Sequence, residues 1–209
     1  MDIRQVMARA PVIPVLTIER EADAIPLARA LVAGGLPVLE VTLRTPVALA
    51  AIAAMRTVPG AIVGAGTLLS PGDFTRVEAA GAQFAVSPGL TPAMAAAGRK
   101  SSVPLLPGVA TAGELMAARE AGYTALKFFP AEPAGGAPML SSFAPVFQDV
   151  VFCPTGGITR ESAPRFLKLA NVLCVGGSWI TPAAAVKAGD WAQIEALARD
   201  AAQLARPAR

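Results

Sequence analysis

The chain is punctuated at short, even intervals, and that rhythm limits the folds open to it. Eight apolar, β-rich runs alternate with eight segments of helical composition. The runs cover residues 12–16, 38–43, 62–67, 84–88, 104–108, 125–129, 151–155 and 172–176. Most are continuously apolar, the pattern of parallel strands covered by helices. The helical segments fall near 21–34, 46–56, 71–80, 92–99, 112–121, 138–147, 161–168 and 190–205. Thr45-Pro46, Ser70-Pro71 and Thr91-Pro92 each put a cap residue before a proline suited to the first helical turn. Gly34-Gly35, Gly81 and Gly122 follow helical segments as stop signals.

Strict β/α alternation has two main solutions, a closed barrel or a doubly wound open sheet. The repeat is short, and no Gly-x-Gly-x-x-Gly follows the first strand. The expected fold is therefore α/β, a (β/α)8 TIM barrel, with residues 1–209 as one domain. A chain of 209 residues is near the lower limit for such a barrel, so its loops must be short. No linker, low-complexity segment or second domain is visible. The helix after the sixth strand, beyond Pro133-Ala134-Gly135-Gly136, has the least defined start.

Composition narrows the chemistry. There is no histidine, which removes the commonest acid–base group and transition-metal ligand. With only Cys153 and Cys174 besides, no metal site and no cofactor are expected. Both cysteines sit in apolar runs and read as reduced core residues, which points to a cytoplasmic protein. The net charge of +3 comes with scattered arginines, so nucleic acid is not an expected partner. The opening MDIRQVMARAPVIPVL does not read as a secretory signal. Uncharged stretches at 79–98 and 169–186 are interrupted by Pro or Gly, and no transmembrane helix is expected.

Within this frame Lys127 stands out. Ala125-Leu126-Lys127-Phe128-Phe129-Pro130 places one ammonium group inside an apolar strand. Burying an unpaired charge is costly, and a desolvated neutral amine is a nucleophile for carbonyl carbons. A snorkelling lysine or one half of a buried ion pair would explain the same pattern. Barrel active sites lie at the carboxyl ends of the strands, where further polar residues gather. Glu40, Thr42 and Arg44 share a face at the end of the second strand by period-two alternation. Glu40 and Arg44 would there meet a ligand or form an internal salt bridge. Thr67 ends the third strand, as a site residue or a helix cap. Pro88 ends the fourth, in a Ser87-Pro88-Gly89 turn. Gly156-Gly157 and Gly176-Gly177-Ser178 follow the last two strands. Such pairs serve either tight turns or an anion, bound by close backbone N–H groups and helix N-termini. Together these residues suit carbon–carbon cleavage in a phosphorylated keto acid through an iminium ion.

The same segments carry a family resemblance. Residues 35–44 (GLPVLEVTLR) and 122–131 (GYTALKFFPA) resemble the Glu-containing and Schiff-base signatures of the 2-keto-3-deoxy-6-phosphogluconate / 4-hydroxy-2-oxoglutarate aldolases. The resemblance continues through VGAGT at 63–67, SPG at 87–89, CPTGGI at 153–158 and GGSW at 176–179. It implies a class I, metal-independent aldolase that releases pyruvate and glyceraldehyde 3-phosphate. Lys127 would form the Schiff base and Glu40 act as general acid/base. Arg44 and Thr67 would bind the substrate carboxylate, while Pro88 and Phe129 wall the pyruvyl pocket. Thr155 would reach the distal half, and Gly156, Gly157, Gly176, Gly177 and Ser178 hold the phosphate. The family also implies a homotrimer. Pro133-Ala134 departs from the polar residue expected in that loop.

Three alternatives go with this reading. The substrate would be 4-hydroxy-2-oxoglutarate or the C4-epimeric galactonate; a phosphate-binding isomerase or synthase would not need Lys127; a sensor would need no amine nucleophile. On the anion reading, Gly177→Val should harm the phosphorylated substrate selectively.

Overall fold

The computed structural model describes residues 1–205. Nine short strands are present among them: β1 (Val12–Leu16), β2 (Val38–Thr42), β3 (Ile62–Gly66), β4 (Ala85–Val86), β5 (Leu105–Leu106), β6 (Gly108–Val109), β7 (Ala125–Phe128), β8 (Val151–Pro154) and β9 (Val175–Gly177). The intervening helices are α2 (Ala24–Ala33), α3 (Ala48–Met55), α4 (Gly72–Ala79), α5 (Pro92–Lys100), α6 (Ala112–Glu120), α7 (Gly136–Phe143) and α8 (Ala163–Leu167), with α9 (Ala183–Ala188) and α10 (Trp191–Ala202) at the end. A helix outside the eight expected ones, α1 (Ile3–Ala8), precedes β1. Asp2 and Gln5 cap it reciprocally, side chain to backbone in both directions. The short α9 is the second unexpected helix.

All strand pairs are parallel. Six form one sheet in the order β5-β4-β3-β2-β1-β9, and three form another in the order β6-β7-β8. The architecture is thus a curled parallel sheet with helices outside. It departs from eight continuous strands at two places. The fifth expected strand breaks at Pro107, whose nitrogen cannot join a ladder, leaving β5 and β6 on different sheets. The eighth is displaced: β9 starts at Val175, and β8 meets the segment through two isolated bridges, Phe152 with Val172 and Thr155 with Gly176.

Two apolar clusters show how the sheets curl. The larger fills the space between strands and outer helices. The smaller is internal and takes Ile13, Val38, Phe84, Val86, Leu106, Ala125 and Cys153 from strands of both sheets. Val6 and Met7 of α1 join it, so α1 covers one end of the concave space. Arg4 anchors this helix by donating to the carbonyls of Thr124 and Asp149. On the outer side Phe128 of β7 meets Phe143 and Phe152 edge-on, with centroids 6.4 and 6.5 Å apart. Each such pair contributes about 0.5–1.5 kcal/mol beyond its burial, which fixes the strand that carries Lys127.

The loops show where capping chemistry was redirected. Thr91 caps α5 through the N–H of Met94, as its proline suggests. Thr45 does not cap; its hydroxyl donates instead to the carbonyl of Ile18 at 2.6 Å. Ser70 gives way to Asp73, which accepts from the backbone N–H groups of Leu69 and Ser70 and from the Ser70 hydroxyl. Burial pushes the Asp73 carboxyl up, but these bonds and the charge of Arg76 outweigh it and hold it below its ordinary value. No helix of the described residues is long and apolar enough to cross a membrane.

Candidate functional site

Lys127 lies in the middle of β7, paired in register with Gly108 on one side and Cys153 on the other. It is buried, with 6% of its surface exposed. Its Nζ donates to Oε1 of Glu40 at 3.4 Å, across the interior from β2. The ammonium also stands 5.0 Å from the centre of the Phe129 ring, within cation–π range. The ion pair anticipated as one explanation of Lys127 is therefore real, and its partner is the other candidate catalytic residue. Glu40 does not pair with Arg44. The guanidinium of Arg44, beyond the end of β2, is exposed and makes no ion pair among the described residues.

A cleft of about 210 Å³ opens beside this pair. Arg44, Phe129, Thr155, Gly156, Gly157, Gly176, Gly177 and Ser178 all line it, together with Val15, Thr17 and Ile158. Eight of the twelve predicted residues thus meet on one wall. Glu40 and Lys127 lie in the interior. Thr67 and Pro88 follow β3 and β4 and do not line this cleft. A larger, more apolar cavity of about 520 Å³ adjoins it and shares Val15, Thr17 and Ser178. Neither it nor a cleft of about 540 Å³ lined by Thr91, Pro92, Arg99 and Glu120 is lined by Lys127 or Glu40.

The glycines have more than one reason to be glycine. A Cβ on Gly66 would fall 2.2 Å from Oε1 of Glu40, and one on Gly176 would fall 2.2 Å from the Thr155 hydroxyl. These two glycines make room for the Glu40 and Thr155 side chains. Gly156 and Gly157 have φ of +107° and +78°, which L side chains rarely adopt. Gly177 faces the ring of Trp179, whose nearest atom is 1.8 Å from where a Cβ would stand. Valine at this position would therefore disrupt packing, and Gly177→Val is no selective probe of anion binding. Helix dipoles also contribute less than expected, because α8 and α9 begin only at Ala163 and Ala183. What remains for an anion is local. The N–H groups of Gly157 and Ser178 meet no carbonyl among the described residues, and the Ser178 side chain is exposed in the cleft.

Thr67 is not a helix cap; Asp73 holds that loop. Its φ is +65°, an outlier for a β-branched residue, directly after the Gly66 that abuts Glu40. Pro88 belongs to a tight exit: Ser87 donates to the carbonyl of Gly89 at 2.7 Å, and the Pro88 carbonyl packs where Gly108 lacks a Cβ. Thr155 is buried, and its hydroxyl has two long contacts, 3.5 Å to the Cys153 carbonyl and 3.9 Å to the Cys153 Sγ. Val15 and Thr17 escaped sequence reasoning. Their signal was the alternation Ile13, Val15, Thr17, which sends the inward face of β1 up to the cleft.

The model of the family "KDPG and KHG aldolase" matches residues 3–197. A 2-dehydro-3-deoxy-phosphogluconate aldolase of Zymomonas mobilis is 54% identical over 207 residues, covering 99% of this chain and 98% of the relative. The crystal structure of the Zymomonas mobilis ZM4 2-keto-3-deoxy-6-phosphogluconate aldolase with 3-phosphoglycerate superposes with a TM-score of 0.94 at 54% identity, covering 98% of this chain and 97% of that one. A KDPG aldolase from Legionella pneumophila, solved with pyruvate captured as a covalent carbinolamine intermediate, has a TM-score of 0.95 at 50% identity, covering 97% and 99%. With half of its residues shared from end to end, the chain belongs to the KDPG and KHG aldolase family.

Proposed function

We propose that this protein is a class I aldolase that cleaves 2-keto-3-deoxy-6-phosphogluconate to pyruvate and glyceraldehyde 3-phosphate through a Schiff base on Lys127. The observation that carries the reading is the buried Lys127–Glu40 pair, 3.4 Å apart, beside a cleft of glycine loops and hydroxyls. A nucleophile in contact with a proton carrier is the arrangement covalent catalysis needs. The relatives' names and the carbinolamine of the Legionella pneumophila enzyme support it.

Lys127 passes its ammonium proton to Glu40, the neutral amine attacks the C2 ketone, and Glu40 returns that proton to the oxygen as it leaves as water. The resulting iminium draws electrons from the C3–C4 bond. Glu40, directly or through a water, takes the C4 hydroxyl proton, and the aldehyde departs. Protonation of the enamine at C3 and hydrolysis release pyruvate and the free amine. Arg44 and Thr67 hold the substrate carboxylate, with Phe129 and Pro88 walling the pyruvyl end. Thr155 faces the distal half. The phosphate takes the N–H groups around Gly156, Gly157, Gly176 and Gly177, with the Ser178 hydroxyl.

We further infer that the two sheets close into one (β/α)8 barrel and that residues 1–209 form one domain, the last four lying outside the described residues. The bridges from β8 to the β9 segment and the shared inner cluster support closure. A cytoplasmic homotrimer that needs no metal or other cofactor completes the reading. Pyruvate release followed with 2-keto-3-deoxy-6-phosphogluconate and with 4-hydroxy-2-oxoglutarate tests it. A higher kcat/KM for the phosphorylated substrate is expected; no pyruvate from either would overturn the reading.

A further inference from the structure

Thr17 stands just beyond β1, at the lip of the cleft shared with Arg44, Phe129 and Ser178. Its neighbours along the strand tie it to both halves of the site. Pro14 pairs with Gly177, and Val15 pairs with Glu40. The residue is exposed and lines the cleft, within reach of a bound molecule.

The hydrogen bonds around it fix what that hydroxyl can offer. Thr42 Oγ1 lies 2.8 Å from the Leu16 carbonyl, which can only accept, so Thr42 spends its proton there. Thr42 Oγ1 also lies 3.2 Å from Thr17 Oγ1. With the Thr42 proton committed, this second bond must carry the proton of Thr17. The Thr17 oxygen therefore faces the cleft with lone pairs only. Carboxylate and phosphate oxygens, which also only accept, are poor partners for it. A hydroxyl is the substrate group that can donate.

We propose that Thr17 is a specificity-determining residue that accepts a hydrogen bond from the hydroxyl at C5 of the substrate, equivalent to C2 of the departing aldehyde. The proposal rests on the aldolase reading, in which Glu40 already serves the C4 hydroxyl. It makes Thr17 a discriminator between the hydroxylated sugar acid and 4-hydroxy-2-oxoglutarate, which has no hydroxyl beyond C4.

The test is aldol addition of pyruvate to two aldehydes, D-glyceraldehyde 3-phosphate and its counterpart without the C2 hydroxyl, 3-phosphonooxypropanal. Thr17→Val keeps the shape and removes the acceptor. We expect kcat/KM for the hydroxylated aldehyde to fall about 3–10-fold, the range of one neutral hydrogen bond, with the deoxy aldehyde unaffected. Thr17→Ser should restore the preference, and Thr17→Ala, which adds no branched apolar group, should repeat the loss. Equal loss on both aldehydes, or no loss, overturns the assignment. If the wild-type protein adds pyruvate to neither aldehyde and forms no borohydride-stable adduct, the aldolase reading itself has failed, and this assignment falls with it.

Discussion

A buried ammonium and carboxylate in contact leave little freedom to either residue. Removing one partner strands the other charge, which typically costs about 3–5 kcal/mol. Glu40→Gln is nearly isosteric and is expected to fold with a lowered Tm while turnover drops about 10²–10⁴-fold, the usual contribution of a positioned acid/base. Near-normal turnover in the folded variant would return Glu40 to a purely structural ion pair. Thr67 makes the opposite prediction. Its left-handed backbone costs about 1–3 kcal/mol, more than the entropy cost of glycine at about 0.5–1 kcal/mol. Thr67→Gly should therefore hold or raise the thermal midpoint while lowering kcat/KM; a less stable protein with unchanged activity would show that the hydroxyl serves the fold. Ser178 replaces Gly177 as the probe of the anion site. Ser178→Ala should raise KM about 10-fold or more for the phosphorylated substrate, as loss of a charge-assisted bond of about 1.5–3 kcal/mol implies, and leave 4-hydroxy-2-oxoglutarate nearly unchanged. Equal effects on the two substrates would contradict it.

At the scale of elements, apolar runs and punctuation located the strands, because buried parallel strands need little besides continuous hydrophobicity. Their exact pairing was not legible. Pro107 is a local mark for a break in the ladder, but nothing local says that β5 and β6 then join different sheets. α1 was readable in principle from the Asp2…Gln5 capping box. The ends of the loops depended on which cap residue won. Asp73 won over Ser70, and its carboxylate now organises the segment that follows Thr67. Because that carboxyl titrates below its ordinary value of 3.8 in the folded protein, the stability it contributes is present above that value and lost as pH falls through the folded pKa. Asp73→Asn should lower the thermal midpoint at neutral pH, and the gap from the parent should close below pH 3.8. A gap that persists undiminished in acid would assign the effect to packing.

For the whole molecule, the site was more legible than the fold's closure. The glycine motifs, Glu40 and Lys127 are separated widely in sequence, yet strand alternation sends each to the same end of the sheet. What alternation does not give is contact across the interior. The Lys127–Glu40 pair joins residues 87 apart on strands of different sheets and depends on how strongly those sheets curl. The double use of glycine was likewise hidden, since Gly66 and Gly176 yield space to side chains from neighbouring strands. The proposed chemistry turns on a covalent bond between Lys127 and the keto substrate. Reduction with borohydride in the presence of pyruvate, followed by peptide mass mapping, tests it most directly. A stable adduct is expected on the peptide carrying Lys127, formed even with chelator present, and missing from Lys127→Ala. An adduct on another lysine, or none while cleavage activity persists, would contradict it.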